Sequence, residues 1–498
     1  MIRLYDTQAH QKLDFVPNQE GVIHMYVCGP TVYNYIHIGN ARTFISFDII
    51  RRYLMWRGFD VTFVQNVTDV DDKIIKKANE EGRSAAEVAT EYTDAFIEDM
   101  RAMGVLDPDV RPKATEEIDS MIELVSTLIE RGHAYEVEGD VYFSVRSFPE
   151  YGKLSHRNID ELEGGHRELR ADGQGLEDRK RDPLDFAVWK AAKPGEPSWP
   201  SPWGEGRPGW HIECSAMSRK YLGLPLDIHG GGADLAFPHH ENEIAQSEAA
   251  YGVAFSNHWM HGGMLNINGE KMSKSLGNFL LLRDILKTVE PSVLRMFMAR
   301  AHYRSPLDFN EERVAEAAAS LERIVNFVER MDWLVSNPDG NAQPLSGDYS
   351  FEQGIEAVRA GFVEAMDDDF NTAGALGCIF TFVNDANAAL GNATLNAEDA
   401  SRIKAVRDTV VDLMGVFGIS VEKAAGEEYP AEVIDLARDV AGYAGSDAAE
   451  AVEALLAARA QARKEKNWAV ADGVRNGLND LGFVIEDTPQ GAKVSYKQ

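Results

Sequence analysis

The chain has 498 residues, 44 % hydrophobic and 26 % charged, which describes a soluble globular protein of three or four domains with a large core. Its net charge of −30 argues against non-specific binding to DNA or RNA but leaves room for a shaped contact on a local basic patch. No apolar run approaches the roughly 18 residues of a membrane span, the N-terminus carries no signal-peptide block, and three cysteines, Cys28, Cys214 and Cys378, are too few for a disulfide scaffold and point to a reducing cytosol.

Val22 to Val27 is a short, mostly apolar run that reaches Cys28-Gly29-Pro30, as a buried strand entering a turn does. Residues 40–57 carry Ile45, Ile49, Ile50, Tyr53 and Leu54 at helical spacing and stop at Gly58. Residues 61–67 read as a second strand. Strand, helix and strand with a crossover of this length make a parallel βαβ unit, the first half of a nucleotide-binding α/β domain. Residues 115–205 differ, with an acidic Gly-rich stretch (161–177) and a Pro/Trp-rich one (193–208). They read as an insertion that splits the domain. The second half resumes near Trp210, where Leu226-Asp227-Ile228 forms a short strand entering Gly230-Gly231-Gly232, and residues 259–267 lead to a surface loop at 271–275. From about residue 308 the spacing is helical, over 311–334 and 351–366, and no fixed-period repeat is present. A linker at 422–428 precedes a small terminal unit. There, helices are expected over 447–466 and 468–481, Gly482 as a cap, and a hairpin of 483–486 with 493–496 around Pro489-Gln490-Gly491.

Four constellations carry chemistry. His37-Ile-Gly-Asn40 sits where a strand hands over to a helix, so that free N–H groups and a partial positive charge await an anion. Gly39 allows close backbone approach and His37 can donate to phosphate, although such a tripeptide also serves ordinary turns. Lys271-Met-Ser-Lys-Ser275, after Asn268-Gly269, places Lys271 and Lys274 on a loop able to clamp a polyphosphate. Cys28 and Cys214 supply two thiols, and Phe237-Pro-His-His-Glu-Asn-Glu243 sets His239 and Glu243 at i and i+4 on one face of a helix that starts near Pro238. Two thiolates, an imidazole and a carboxylate fit tetrahedral zinc, with His240 as the competing ligand and Cys378 left as a buried apolar residue. Finally, the strand ending in Gly230-Gly231-Gly232 lets backbone approach a flat ring, and Asp234 is placed to hold ribose hydroxyls.

Together these signals resemble a class I aminoacyl-tRNA synthetase. His37 to Asn40 resembles its HIGH motif, with Asn40 as the fourth residue in place of His, and Lys271 to Ser275 matches its KMSKS motif letter for letter. Cys28-Gly-Pro-Thr-Val-Tyr, Asn66-Val-Thr-Asp-Val-Asp-Asp-Lys-Ile, Gly209-Trp-His-Ile-Glu-Cys214, the Phe237–Glu243 run, Met366 to Thr372 and Glu486 to Gly491 are similar to the cysteinyl-tRNA synthetase family specifically, over nearly the whole chain.

That resemblance implies an α/β fold: a Rossmann-type parallel-sheet catalytic domain (1–115 and 206–307) split by a connective-peptide insertion (116–205). An α-helical bundle (308–425) and a small C-terminal α+β anticodon-binding domain (426–498) follow. It implies ligation of L-cysteine to tRNA(Cys) through cysteinyl-adenylate, in the cytoplasm and as a monomer. His37, Asn40, Lys271 and Lys274 are the implied catalytic residues. Gly39, Gly232 and Asp234 join His37, Asn40 and Lys274 on ATP, and Gly29, Thr68 and Trp210 lie on cysteine. One Zn2+ per subunit would rest on Cys28, Cys214, His239 and Glu243 and select the substrate thiol, and Mg2+ would accompany ATP. Arg459, Arg463, Lys464, Lys466 and Arg475 would face the anticodon. Where the family ends on a Trp after the Gln-Gly turn, this chain has Tyr496. The alternative is a cysteine ligase of the mycothiol pathway with an amino-sugar acceptor, which has no use for a C-terminal RNA-reading unit.

Overall fold

The computed structural model describes residues 1–158, 179–272, 278–345, 347–422, 429–488 and 491–496. The acidic Gly-rich stretch, residues 273–275 of the lysine loop, most of the 422–428 linker, and Pro489-Gln490 lie outside the described residues.

Strands β1 (Val22–Val27), β2 (Asp60–Gln65), β3 (Leu226–Gly232) and β4 (Ser256–Gly262) form one parallel sheet in the order β4-β3-β1-β2. Their side chains are mostly buried, as expected of parallel strands covered on both faces. Helix α1 (Ile38–Trp56) crosses from β1 to β2 and buries Ile38, Phe44, Ile45, Phe47, Ile49, Ile50, Tyr53 and Leu54. Each such large apolar side chain contributes about 1.5–3 kcal/mol on leaving water. The helix ends before Gly58, whose φ of 91° is a left-handed conformation that suits glycine. Helix α2 (Asp72–Glu81) follows β2. Helices α3 (Trp210–Leu222) and α4 (Glu241–Tyr251) flank β3 in sequence.

The sequence suggested a strand that ends where the glycines begin. Instead β3 runs through them to Gly232, and Gly230 pairs with Val27 on one side and Met260 on the other. The cause is helix packing. A Cβ on Gly230 would lie 2.3 Å from the Phe47 ring of α1, so glycine here lets the helix settle onto the sheet.

Between the two halves of the sheet lie helix Ile118–Glu130 and a four-stranded antiparallel sheet of Ala134–Val137, Asp140–Phe143, Phe186–Ala191 and Gly206–Pro208. Trp189 is fully buried in it.

The chain divides into two compact units, residues 1–321 with 360–378 and 415–419, and residues 322–359 with 379–414 and 420–498. Helices Glu311–Ser336 and Phe351–Asp367 match the expected periodicity, whereas Thr372–Leu390 and Ala397–Val416 complete the helical region without having been delimited by it. No helix among the described residues is long and apolar enough to cross a membrane. In the second unit, helices Glu432–Ala441, Ala448–Lys464 and Trp468–Asp480 pack with the antiparallel hairpin Phe483–Thr488/Gly491–Tyr496 around Val433, Leu455, Val474, Leu478 and Phe483. Arg459 and Arg463 both reach the Asp487 carboxylate, at 2.7 and 2.5 Å.

Two stability effects follow. Gly230→Ala forces the Phe47 ring and the strand apart, and denaturant unfolding of the first unit loses about 1–3 kcal/mol; an unchanged midpoint would show that α1 does not rest on that glycine. The Arg459 hydrogen bonds, with Arg463 behind them, hold the Asp487 carboxyl at about 2, against about 3.9 in an unfolded chain. The pair's stabilisation is therefore complete above about pH 4 and fades as pH falls through about 2. Hydrogen exchange in residues 448–488 should show this acid loss, and Asp487→Asn should flatten it.

Candidate active site

In an open parallel sheet, a crevice forms outside the carboxyl ends of adjacent strands whose connections run in opposite directions. Here these strands are β1 and β3: from β1 the chain crosses to β2, and from β3 it crosses to β4 on the other side. The Cys28 N–H, one residue past β1, donates to the Gly230 carbonyl of β3 at 3.1 Å. The two strand ends are thus joined at the floor of the crevice. A cleft of about 430 Å3 opens there. Nine of the residues that the sequence singled out line it: Cys28, Gly29, His37, Gly39, Asn40, Trp210, Gly232, Asp234 and Lys271.

His37 caps α1. Its Nδ1 accepts from the Asn40 N–H at 3.2 Å, and Asn40 Oδ1 accepts from the His37 N–H at 3.3 Å. With Nδ1 an acceptor, the neutral imidazole carries its proton on Nε2. The first turn of α1 adds backbone N–H groups and the positive end of the helix dipole. Gly39 permits this approach, since a Cβ there would meet the His37 ring at 3.0 Å and the Met272 methyl at 3.3 Å. Gly29 is held more tightly: its N–H donates to Asn66 Oδ1 at 2.8 Å, and a Cβ would fall 1.7 Å from the Asn66 carbonyl oxygen. Buried Arg42, on α1, donates to the carbonyls of Gly263 at 3.0 Å and Met264 at 2.7 Å and so fixes the opposite wall.

Cys214, His239 and Glu243 lie below Cys28, all buried, and the donor atoms of the four residues fall within 4.8 Å of one another. Cys28 Sγ is 3.5 Å from Cys214 Sγ and 3.4 Å from Glu243 Oε1, and His239 Nε2 is 2.9 Å from Glu243 Oε1. The i, i+4 pairing holds although α4 begins only at Glu241. His239 sits on the turn leading into it: Phe237 is the one residue there outside helical geometry, and the helical backbone resumes at Pro238, as expected. Burial alone would raise the Glu243 carboxyl, but His229 and His239 override it and hold it well below its usual range. Burial pushes the Cys28 thiol up. For Cys214 the same burial is outweighed by the S–H bond from Cys28 and by His239, so it is the first of the pair to ionise. Two thiols, an imidazole and a carboxylate held this close and this dry fit a metal site.

A second donor group, Cys28, His229, His240 and Glu243, meets the same distance criterion. His240 Nε2 is 3.3 Å from Cys28 Sγ, while its Nδ1 is 2.8 Å from His261 Nε2. Glu243 Oε2 lies 3.1 Å from His229 Nε2, without the alignment of a hydrogen bond. Reading along the sequence named His240 only as a competitor and missed this wall of imidazoles. His229, in the strand before the glycines, was its one visible sign. Also missed was His211, whose Nδ1 lies 3.0 Å from His239 Nδ1.

Thr68 stands apart from the cleft lining: its buried hydroxyl donates to Glu213 Oε2 at 2.6 Å. Lys274 lies outside the described residues. In the second unit, the basic residues named from the sequence do not form one free face, since Arg459 is 5 % exposed and bidentate to Asp487. Tyr496 packs on Phe483 and Tyr429, with ring centroids at 4.7 and 5.6 Å. Among the described residues of this unit, Trp468 is an exposed aromatic, at 56 %.

Residues 14–319 match the family described as tRNA synthetases class I (C) catalytic domain, residues 361–422 a DALR domain, and residues 446–494 a cysteinyl-tRNA ligase anticodon binding domain. The chain is 49 % identical to a cysteine–tRNA ligase of Syntrophotalea carbinolica over 98 % of both chains, and 46 % identical to one of Desulforamulus reducens over 99 % of both. Among solved structures, Mycobacterium tuberculosis methionyl-tRNA synthetase in complex with methionyl-adenylate is similar in fold, with a TM-score of 0.59 at 18 % identity, over 80 % of this chain and 90 % of that one.

Metal analysis of the purified protein should return about one tightly held divalent ion per chain. Cys214→Ala and His239→Ala should each lose most of it, and Cys378→Ala should keep it. Full occupancy in Cys214→Ala would remove the two-thiol site.

Proposed function

The chain belongs to the cysteine–tRNA ligases of class I, and from that premise we propose that its cleft joins L-cysteine to ATP as cysteinyl-adenylate and passes the cysteinyl group to tRNA(Cys). The observation that carries this reading is the shared cleft: Cys28, the top of the buried donor cluster, and His37, the cap of α1, line one space. One end of that space recognises sulfur and the other phosphate.

In the first step the cysteine carboxylate attacks the α-phosphate of ATP and pyrophosphate leaves, with Mg2+ accompanying the nucleotide. The His37 Nε2–H, the N–H groups of α1 and the ammonium groups of Lys271 and Lys274 draw the phosphates into line and offset the charge that builds on them. Asn40 holds His37 in the donor tautomer. Gly232 lets the nucleotide lie against β3, and Asp234 takes its ribose. Trp210 closes the amino-acid end, its ring stacked on His239 at 4.3 Å. Gly29 and Thr68 shape the same end, Thr68 through Glu213 rather than by direct contact.

The donor cluster suits zinc. Zn–S bonds of about 2.3 Å at tetrahedral angles separate two thiolates by about 3.8 Å, close to the 3.5 Å between Cys28 Sγ and Cys214 Sγ. The two-thiol set is preferred over the histidine-rich one because zinc favours thiolate and because His240 already engages His261. Held by Cys28, Cys214, His239 and Glu243, zinc would supply a thiophilic Lewis acid that favours a thiol over a hydroxyl.

In this reading residues 1–115 and 206–307 form the catalytic domain, 116–205 the insertion, 308–425 the helical bundle and 426–498 the anticodon reader. Trp468, with Lys464 ending the preceding helix and Lys466 on the turn between, offers a stacking surface beside cations. An amino-sugar acceptor would leave that unit without a role. This reading takes the enzyme as a monomer, and thiols of this kind belong in a reducing cytosol.

Pyrophosphate exchange into ATP should require cysteine, with serine poorer by on the order of 10⁴. Cys28→Ser should lower bound zinc and compress that preference to about 10–100-fold, the range of shape alone. His37→Ala should slow exchange by about 10²–10³. Exchange in wild-type enzyme that ignores cysteine would overturn the proposal.

A further inference from the structure

Beside the cleft lies a second cavity of about 630 Å3. Its walls are the start of α2 (Asp72), the insertion strands (Phe186, Lys190, Arg207) and Trp210. Trp210 lines the cleft as well, and its stacking on His239 fixes the ring as a partition between the two spaces. Whatever occupies the second cavity therefore ends within one side chain of the amino-acid end of the cleft.

Two of the cations in this cavity converge on one carboxylate. Lys190 Nζ lies 2.6 Å from Asp72 Oδ2, and Arg207 Nη2 meets Asp72 Oδ1. Arg207 is 4 % exposed and is also 3.3 Å from Glu196 Oε2, whereas Asp72 is 59 % exposed and Lys190 35 %. A buried arginine and a half-exposed lysine, from adjacent strands, thus converge on two oxygens that face solvent. A phosphodiester presents the same two oxygens and single charge. Lys180 and Lys193 reach the same cavity, alongside the carboxylates of Asp71, Asp140 and Glu196, in a chain whose net charge is −30. Phe186 and Trp210 add aromatic surface on which a base can rest.

We propose that this cavity seats the single-stranded 3′ end of the RNA acceptor, with Lys190 and Arg207 exchanging Asp72 for a backbone phosphate. The proposal rests on the synthetase reading above. In the transfer step a ribose oxygen bonds to the acyl carbon, the acyl–phosphate bond breaks, and AMP leaves as the hydroxyl proton is released. A strand anchored at Lys190 and Arg207 approaches that carbon past Trp210. Asp72 keeps the two cations ordered until the strand arrives.

The test pairs two substitutions with opposite expected signs. Lys190→Ala should weaken tRNA binding and lower single-turnover transfer, relative to cysteine-dependent exchange, by about tenfold, the order of one charged contact, and should reduce the salt slope of tRNA binding by about one. Asp72→Asn should tighten tRNA binding, because it removes the competitor and keeps the cations. With tRNA trimmed of its single-stranded 3′ end, wild type and Lys190→Ala should bind alike. If both substitutions weaken binding, the triad is a structural brace and the proposal fails. It fails too if the Lys190→Ala defect persists on trimmed tRNA, or if that variant instead raises the exchange KM for ATP, which would make the cavity a nucleotide site. Absence of cysteine-dependent exchange in wild type would defeat the synthetase reading itself, a distinct result.

Discussion

The site depends on how closely α1 can approach the sheet at the junction of β1 and β3. Gly230 lets the Phe47 ring sit where a Cβ would be, and the Cys28 N–H closes the strand ends onto the Gly230 carbonyl. With the strand and helix fixed in this way, the loop between them has little freedom. It must leave the sheet at Cys28, above the donor cluster, and re-enter secondary structure at His37, on the helix N-terminus. In the proposed function, sulfur recognition and phosphate recognition come from two ends of this one short connection. A shift of α1 would move both at once.

The floor of the cleft is costly to fold. Cys28, Cys214, His239 and Glu243 are all at most 4 % exposed, as are the neighbouring His229 and His240. Burying that many polar groups is unfavourable unless they are paired or bind an ion. Several remain imperfectly satisfied, including His229 Nδ1 and Glu243 Oε2. A sequence selected for stability alone would fill this space with apolar side chains. The departure from that rule is concentrated where a ligand is needed, as at functional sites generally. Arg42 shows the complementary device: one buried guanidinium spends its donors on loop carbonyls and holds the cleft wall without contacting the ligand space.

Much of this was legible in the sequence, and the failures have physical causes. The β1–α1–β2 unit was readable because its apolar spacing and Gly58 agree. Nine cleft residues were readable because they sit in short runs with strong local constraints, such as the His37–Asn40 cap. The strand through Gly230-Gly231-Gly232 was not, since glycine triplets suggest a turn until a partner as bulky as Phe47 is known. The turn into α4 was readable as well: Phe237 is extended, as the residue before a proline prefers to be, and the helical backbone starts at Pro238. His211, His229 and His240 come from three separate elements, so only the packing of α3, β3 and the turn before α4 gathers them. In the terminal unit, Arg459 looked like part of a basic face because Asp487, which pairs with it, lies 28 residues away.

In the proposed function, a metal held by two protein thiolates selects the substrate through its sulfur. X-ray absorption at the zinc edge measures this directly by counting sulfur ligands. Two sulfurs per zinc are expected in the free enzyme, a third on adding cysteine, and no change on adding serine. One sulfur in the free enzyme, as the histidine-rich donor set would give, or a count that cysteine leaves at two, would contradict it.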